Sequence, residues 1–387
     1  MLLKLLGFAV VLNHHIGLGL GCAPPPPTTP TPPTPSTTSI SPKVGSQTDH
    51  VVSTSLSQTT TERPLASLSF LAVGGQFPSS TSVQLITVNV TRVAFSMSAD
   101  PFDSQLCHEG VNGAAGAIGR VGRLVVVVAG CAGRQQECPL WPDQQRALVF
   151  DKTSCKEAGT DELTKEGLRY RSEKCAATVG DSFYFCGGVT TADEASASCY
   201  RYDVASNSWR KLETRMPTPQ ASAACFAHEG RLHVLGPDGS FHRIRPRASR
   251  ALWQVLPRLE TTDSHSIVSR DGHRAVSLGA GRALVCGGLD GATTTLADCR
   301  FYDSRTLEWS WAPPLQHPRF HFNLLVCEGG KGAALAAGGY RMDDGGCVVA
   351  VDEVEVLLRD ATSWATIELK FDLPAGFAAL CYPADGH

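Results

Sequence analysis

The sequence predicts an all-β chain built from six copies of one short-stranded unit, preceded by a leader that cannot fold on its own. Three observations predict it: one stretch is written twice, glycine pairs recur at a near-constant interval, and the first 63 residues hold nothing that could form a core.

The duplicated stretch runs from Cys186 to Trp209, "CGGVTTADEASASCYRYDVASNSW", and from Cys286 to Trp309, "CGGLDGATTTLADCRFYDSRTLEW". Cys, Gly-Gly, a second Cys, Tyr-Asp and Trp stand at the same offsets in both. The glycine pair or near-pair closes an apolar run six times: "LSFLAVGG" to Gly75, "LVVVVAGCAG" to Gly133, "SFYFCGG" to Gly188, "RLHVLGPDG" near Gly236, "RALVCGG" to Gly288 and "GAALAAGG" to Gly339. The interval is roughly 50 to 58 residues. Each run reads as a buried strand, rich in apolar, β-branched or aromatic residues. Glycines end it where the backbone needs positive φ or a close approach. A polar loop follows, then a strand ending in aromatic-Asp ("VFD" at 149–151, "RYD" at 201–203, "FYD" at 301–303). A turn leads on to a Trp strand, and Pro-containing loops ("MPTPQ", "HPRF") precede the small-residue strand that opens the next unit. That makes four short strands per period. No helical stripe of useful length interrupts them apart from "TDELTKEGLRY" at 160–170.

Four-stranded units at a period near 50 predict a β-propeller of six blades. The apolar run, Gly-Gly, spacer, Tyr, six residues and Trp resemble the kelch repeat, over about residues 65–387. The motif residues are Gly74 and Gly75, then Gly187, Gly188, Tyr202 and Trp209, then Gly287, Gly288, Tyr302 and Trp309, and finally Gly338, Gly339 and Trp364. The pattern weakens in the fourth unit, where Pro237 replaces a glycine although Trp253 stays. In the second, Glu157 stands in place of Trp, and in the first Phe95 does. The glycines are expected to let the chain turn between strands. Tyr202, Trp209, Tyr302 and Trp309 are expected to pack between blades, each ring burying on the order of 150–250 Å². A closed ring must hide its strand edges. The unit at 68–73 lacks an innermost strand and "FAALCY" at 377–382 is one strand too many for the sixth unit, so the C-terminus is expected to complete the first blade and close the ring.

The leader divides in two. Residues 1–22, "MLLKLLGFAVVLNHHIGLGLGC", carry Lys4, a short apolar stretch and small residues at Gly19 and Gly21, the pattern of a secretory signal. "GLGC" is close to a bacterial lipoprotein cleavage site, in which Cys22 would be lipidated and anchor the chain to a membrane, but Gly19 stands where Leu is expected. Residues 23–63 open with "PPPPTTPTPPTPSTTSISP" and read as a disordered Pro/Thr/Ser-rich tether. The propeller is then expected over 64–387. No later window has the 18 apolar residues of a transmembrane helix. Export makes Asn89, in "NVT", a glycosylation acceptor in a eukaryote.

Export also sets how the 14 cysteines are read, first as disulfides. Cys186 with Cys199, and Cys286 with Cys299, end one strand and begin its antiparallel neighbour, so a bond within each pair is geometrically reasonable. Cys131 and Cys138 look like a shortened version. For Cys175, Cys225, Cys327 and Cys381, all on expected innermost strands, cross-blade bonds 175–225 and 327–381 and free buried thiols both stay open. Cys107 and Cys155 have only each other as a guess, and Cys347 is left over if Cys22 is lipidated. Metal is not expected, since structural zinc favours C-x-x-C pairs and none exists.

Function is less legible. The net charge of −3, charged residues at 18% against a usual value of about 25%, and the lack of a Lys/Arg run argue against nucleic acid or an anionic membrane. No G-x-S-x-G, H-E-x-x-H or phosphate loop occurs, and "SRDGHRAV" at 269–276 only brushes a sialidase box. His265, His273, His317 and His321 lie near the expected loop ends, but no Tyr joins them to make a copper site like that of galactose-oxidase-type propellers. No cofactor is expected. The kelch resemblance implies a binding module for an extracellular protein or glycan, contacted by loops on one face, with His265, Arg274, Arg319 and His321 as exposed candidates. The alternative is a periplasmic sialic-acid mutarotase-like enzyme or another carbohydrate-active propeller, in which Arg274, Arg319, Glu173 and His321 would serve acid–base chemistry and bind a carboxylate.

Overall fold

The structure, a computed structural model, describes residues 66–73, 83–90, 95–101, 117–129, 146–151, 154–159, 174–190, 192, 194–259, 270–291, 294–327, 333–367 and 378–381. The chain divides after Arg63, and all described residues lie in the second unit, Pro64–His387. The signal and tether expectations, Cys22, Cys107, Cys131, Cys138, Gly74, Gly75, Glu173, His265 and the helical candidate at 160–170 fall outside the described residues.

Every element among the described residues is a strand: β1 (Ala66–Val73), β2 (Val83–Val90), β3 (Phe95–Pro101), β4 (Ala117–Val121), β5 (Leu124–Ala129), β6 (Arg146–Phe150), β7 (Cys155–Glu157), β8 (Lys174–Val179), β9 (Ser182–Gly187), β10 (Cys199–Asp203), β11 (Ser208–Lys211), β12 (Ala224–His228), β13 (Arg231–Leu235), β14 (Phe241–Ile244), β15 (Gln254–Leu256), β16 (Arg270–Asp271), β17 (Arg274–Gly279), β18 (Arg282–Cys286), β19 (Leu289–Asp290), β20 (Thr294–Thr295), β21 (Cys299–Asp303), β22 (Glu308–Ala312), β23 (Asn323–Val326), β24 (Ala334–Ala337), β25 (Tyr340–Met342), β26 (Val348–Ala350), β27 (Val354–Leu357), β28 (Ala365–Ile367) and β29 (Ala378–Cys381). They form six four-stranded antiparallel sheets. In chain order these are β29-β1-β2-β3, β4-β5-β6-β7, β8-β9-β10-β11, β12-β13-β14-β15, β17-β18-β21-β22 and β23-β24-β27-β28. A three-stranded sheet (β16-β19-β20) and a hairpin (β25-β26) are added beside the last two. Every sheet is open-ended.

The apolar run before each glycine pair becomes the second strand of its sheet, or in the first sheet the strand next to β29. Such a strand is covered on both faces, so its residues need not alternate with polar ones. In β9, Phe183, Tyr184, Phe185 and Cys186 are all fully buried. Phe183 and Phe185, with Tyr200, Tyr202 and Trp209, pack on Val126, Val128 and Val149 of the second sheet. Tyr184 and Cys186 face the other way, onto Leu232 and Val234 of the fourth. The same sandwiching joins the fourth sheet to the fifth, the fifth to the sixth, and the sixth to the first, where Leu335 and Val356 meet Phe70, Ile86 and Ala379. Each fully buried aromatic contributes roughly 1.5–3 kcal/mol to this packing.

Indoles tie neighbouring sheets together. Trp309 Nε1 donates to the Pro257 carbonyl (3.2 Å) and Trp364 Nε1 to that of Pro313 (2.9 Å), each acceptor lying just past the last strand of the preceding sheet. Along the first strands, β4 touches β8, β8 touches β12, β12 touches β17, β17 touches β23, β23 touches β29, and β29 touches β4. β29 itself pairs antiparallel with β1, Phe70 opposite Cys381 and Val73 opposite Ala378.

Four disulfides are present among the described residues. Cys186–Cys199 and Cys286–Cys299 each join register partners on the second and third strands of one sheet. Cys175–Cys225 links the first strands of adjacent sheets and Cys327–Cys381 links the residue just past β23 to β29, so these four are bonded and not free thiols. Cys347 is disulfide-bonded as well. Asn89 lies on β2, between Ser67 of β1 and Ser96 of β3 in register.

Candidate binding surface at the loop end

In an antiparallel meander, the loops joining second to third strands and the connectors between sheets share one end. That end is built here by a repeated device. The residue four positions before the first strand of a sheet is Gln220, Arg270 or Arg319 in the fourth, fifth and sixth sheets. In two places its backbone carbonyl accepts the N–H of the preceding sheet's second glycine: Gly188 N–H to Gln220 O (2.8 Å) and Gly288 N–H to Arg319 O (2.9 Å). A Cβ on Gly187 or Gly287, at φ of 71° and 64°, would stand 2.4 Å from those same carbonyl oxygens. Glycine is required there both by backbone conformation and by the approach of the connector.

The side chain at this position turns inward and is locked. Gln220 Nε2 donates to Ser240 Oγ (2.6 Å) and Thr218 Oγ1 (3.1 Å). Arg270 donates through Nη1 to the Gly287 carbonyl (3.0 Å) and through Nη2 to Asp298 Oδ2 (2.6 Å). Arg300 shares that carboxylate oxygen at 3.0 Å, and its guanidinium lies 3.1 Å from the centroid of the Trp311 ring. Arg319 donates to the carbonyls of Gly338 (3.1 Å) and Glu353 (3.0 Å) and to Glu355 Oε1 (2.6 Å). Both Arg319 and Glu355 are 0% exposed. Glu355 also accepts the backbone N–H groups of Gln316 (2.6 Å) and His317 (3.1 Å), so the pair is satisfied on both sides. Burial pulls the Arg319 pKa down, and Glu355 opposes that shift.

The expected exposure of Arg319 is therefore corrected. Its charge points into the protein because Glu355 and two carbonyls meet it there. Arg274 begins β17, is half-buried and donates to the His273 carbonyl (3.1 Å). His321 is half-buried at φ 50°, its N–H on the Gly272 carbonyl (2.8 Å) and its ring beside Phe320. His273 is fully buried, with Nδ1 at 2.6 Å from the Arg270 carbonyl and so carrying the proton. Burial, reinforced by Arg270, pushes its pKa down to about 3. His317 lies 3.2 Å from Glu353. Among the described residues, no group of three or more His, Cys, Asp or Glu is placed to hold a metal ion.

Two short hairpins project at this end. β19-β20 and β25-β26 are joined by the Met342 N–H donating to Thr295 Oγ1 (2.8 Å), and Phe320 bridges to Tyr340. They carry exposed Thr294, Arg341 and Asp344. The sequence reading missed these hairpins and the Gln220, Arg270 and Glu355 contacts. The common offset of Gln220, Arg270 and Arg319 before a first strand was the available signal.

A kelch motif model matches residues 170–216. That span holds the third sheet, β8 to β11, with Gly187, Gly188, Tyr202 and Trp209. No curated protein matches the chain in sequence. The chain is thus strand-rich and all-β among its described residues, with one kelch motif matched outright. No helix among those residues is long and apolar enough to cross a membrane.

Proposed function

We propose that the chain is an extracytoplasmic binding module. In this reading residues 64–387 form a six-bladed kelch-type propeller closed by β29, a signal peptide (1–22) and a tether (23–63) precede it, and the loop end receives a protein or glycan. The kelch motif suggests a protein-interaction propeller, and a protein is the first partner to test. The observation that carries the reading is the locking of the connectors by Gln220, Arg270 and Arg319. A loop end pinned by buried polar contacts is pre-organised, so little ordering entropy is lost when a partner binds. Six four-stranded sheets, the succession of first-strand contacts and the Cys327–Cys381 bond support the ring. The disulfides support an oxidising compartment. The mutarotase-like alternative is disfavoured at one residue, since Arg319 is held by Glu355 and cannot reach a substrate carboxylate.

The test uses the full exported chain, presented to extracellular proteins and to a glycan array. Ligand capture is expected to fall at least tenfold for Arg341→Ala with Asp344→Ala. It should be unchanged for Arg305→Ala with Thr306→Ala at the opposite end. Equal capture by both variants, or interconversion of sialic-acid anomers by the chain, would overturn the proposal.

A further inference from the structure

The contact between the fourth and fifth sheets has a chemistry unlike that between the second and third. Where the latter buries Phe183, Phe185, Tyr200, Tyr202 and Trp209, the former adds two histidines to Phe226, Phe241 and Tyr302. His228, at the end of β12, is 3% exposed, and His233, on β13, is 1% exposed. Their rings lie 5.7 Å apart. His233 stacks on Phe226 at 4.9 Å and contacts Phe241 at 5.7 Å. His228 Nδ1 reaches Ser277 Oγ of β17, across the interface, at 2.7 Å.

Several polar atoms here have no partners. Both ring nitrogens of His233, Nε2 of His228 and the Tyr302 hydroxyl are buried without a hydrogen bond. Buried polar groups are nearly always paired, so several orphans at one interface mark a place where stability is conditional. The charged groups facing the pair are Arg231 of β13, Arg243 of β14, Glu229 of the turn and Asp303 of β21. Asp303 in turn lies near Arg282 and Arg305. Glu229 Oε1 is 4.0 Å from His228 Nε2 and would accept a proton's charge there. No carboxylate faces His233 in this way. The Arg231 backbone favours its charged form, and burial, the His228 ring and both arginines oppose it.

We propose that this contact is an acid-sensitive seam: protonation of the His228–His233 pair parts the fourth and fifth sheets at the end that carries the β12–β13 turn. Burial holds both imidazoles neutral in the closed state, His233 down to about 3 and His228 below its ordinary value. A depressed folded-state pKa fixes the sign. The stabilisation is complete above the open-state value near 6.5 and is lost as pH falls from there toward about 3. In that window His233 shifts the opening equilibrium about tenfold per pH unit, and His228 adds to it in the same direction.

Amide hydrogen exchange on the full chain at pH 7 and pH 5, corrected for intrinsic rates, tests this. Acid is expected to lower protection about tenfold or more in β12, β13, β17 and β21, with β8, β9, β23 and β24 unchanged. His233→Leu should markedly shrink the acid response and leave only the share that His228 carries, since Leu284 fills the corresponding position of β18. A uniform loss of protection across all sheets, or an acid response as large in H233L as in the unaltered chain, would overturn the proposal. Should H233L not fold, His233→Tyr offers the residue that Tyr184 supplies in β9. The sheet-by-sheet comparison in the unaltered chain also decides the matter without any variant.

Discussion

Leu307 sits where the duplicated stretch calls for something else. In the third sheet the β10–β11 turn places Asn207 at φ 48°, and the Tyr202 hydroxyl hydrogen-bonds its Oδ1 at 2.6 Å. The fifth sheet repeats the turn: Asp303 Oδ1 accepts from the N–H groups of Arg305 and Thr306, as Asp203 Oδ1 does from those of Ala205 and Ser206. Here, however, Leu307 occupies the left-handed position at φ 62°, and the buried Tyr302 hydroxyl has no partner. Leu307→Asn should correct both faults. A left-handed conformation costs a residue with a bulky Cβ substituent roughly 1–2 kcal/mol, and Asn tolerates it. Satisfying the hydroxyl contributes about 1 kcal/mol. Against this, Leu307 is half-buried against the core shared by the fourth and fifth sheets, and its loss costs about 1 kcal/mol. The net expectation is a gain of about 1 kcal/mol, or about 2 °C in Tm for a unit of this size.

Denaturant melts of the wild type, L307N, Tyr302→Phe and the double variant provide the assay. In the Y302F background the hydroxyl is gone, so the gain from L307N should shrink by about 1 kcal/mol. The reciprocal Asn207→Leu should destabilise by about 1–3 kcal/mol through the stranded Tyr202 hydroxyl. If L307N destabilises, or its effect is the same with and without the Tyr302 hydroxyl, the reasoning from the duplicated turn fails.

Three further outcomes are expected. Arg319→Met should cost about 3–5 kcal/mol by leaving the Glu355 carboxylate buried and unpaired, whereas R319M with Glu355→Leu should recover most of that loss in the same melts. Gly287→Ala, which drives a Cβ to 2.4 Å from the Arg319 carbonyl oxygen, should destabilise clearly more than Gly230→Ala, where nothing lies within 4 Å and only the roughly 1–2 kcal/mol backbone term applies. Removing Cys327–Cys381, 54 residues apart, should cost about 4 kcal/mol in the chain-entropy account, against about 3 kcal/mol for Cys186–Cys199, 13 apart, with early proteolysis at the C-terminal end only in the former. The reverse order of losses would count against β29 as a fastener.

What could be read from the sequence was local. A strand, a glycine pair and an antiparallel return lie within about 25 residues, so their chemistry is written contiguously, and the four-stranded sheets with their open antiparallel order follow from it. Cys186 and Cys199 face each other because strand pairing puts them in register, a relation that the spacing alone carries. Burial of charge is different in kind. An arginine in a Pro-containing loop is normally solvated, and nothing adjacent to Arg319 says otherwise. What turns it inward is Glu355, 36 residues on and in a different strand, together with two carbonyls that exist only once β23, β24 and β27 have assembled. The same holds for His233: its sequence neighbours give an ordinary strand, and the missing hydrogen bonds appear only when the fourth sheet meets the fifth. The polar residues that decide how rigid the loop end is, and how the end with the β12–β13 turn responds to acid, are thus set by contacts between sheets, which a repeat read one unit at a time does not contain.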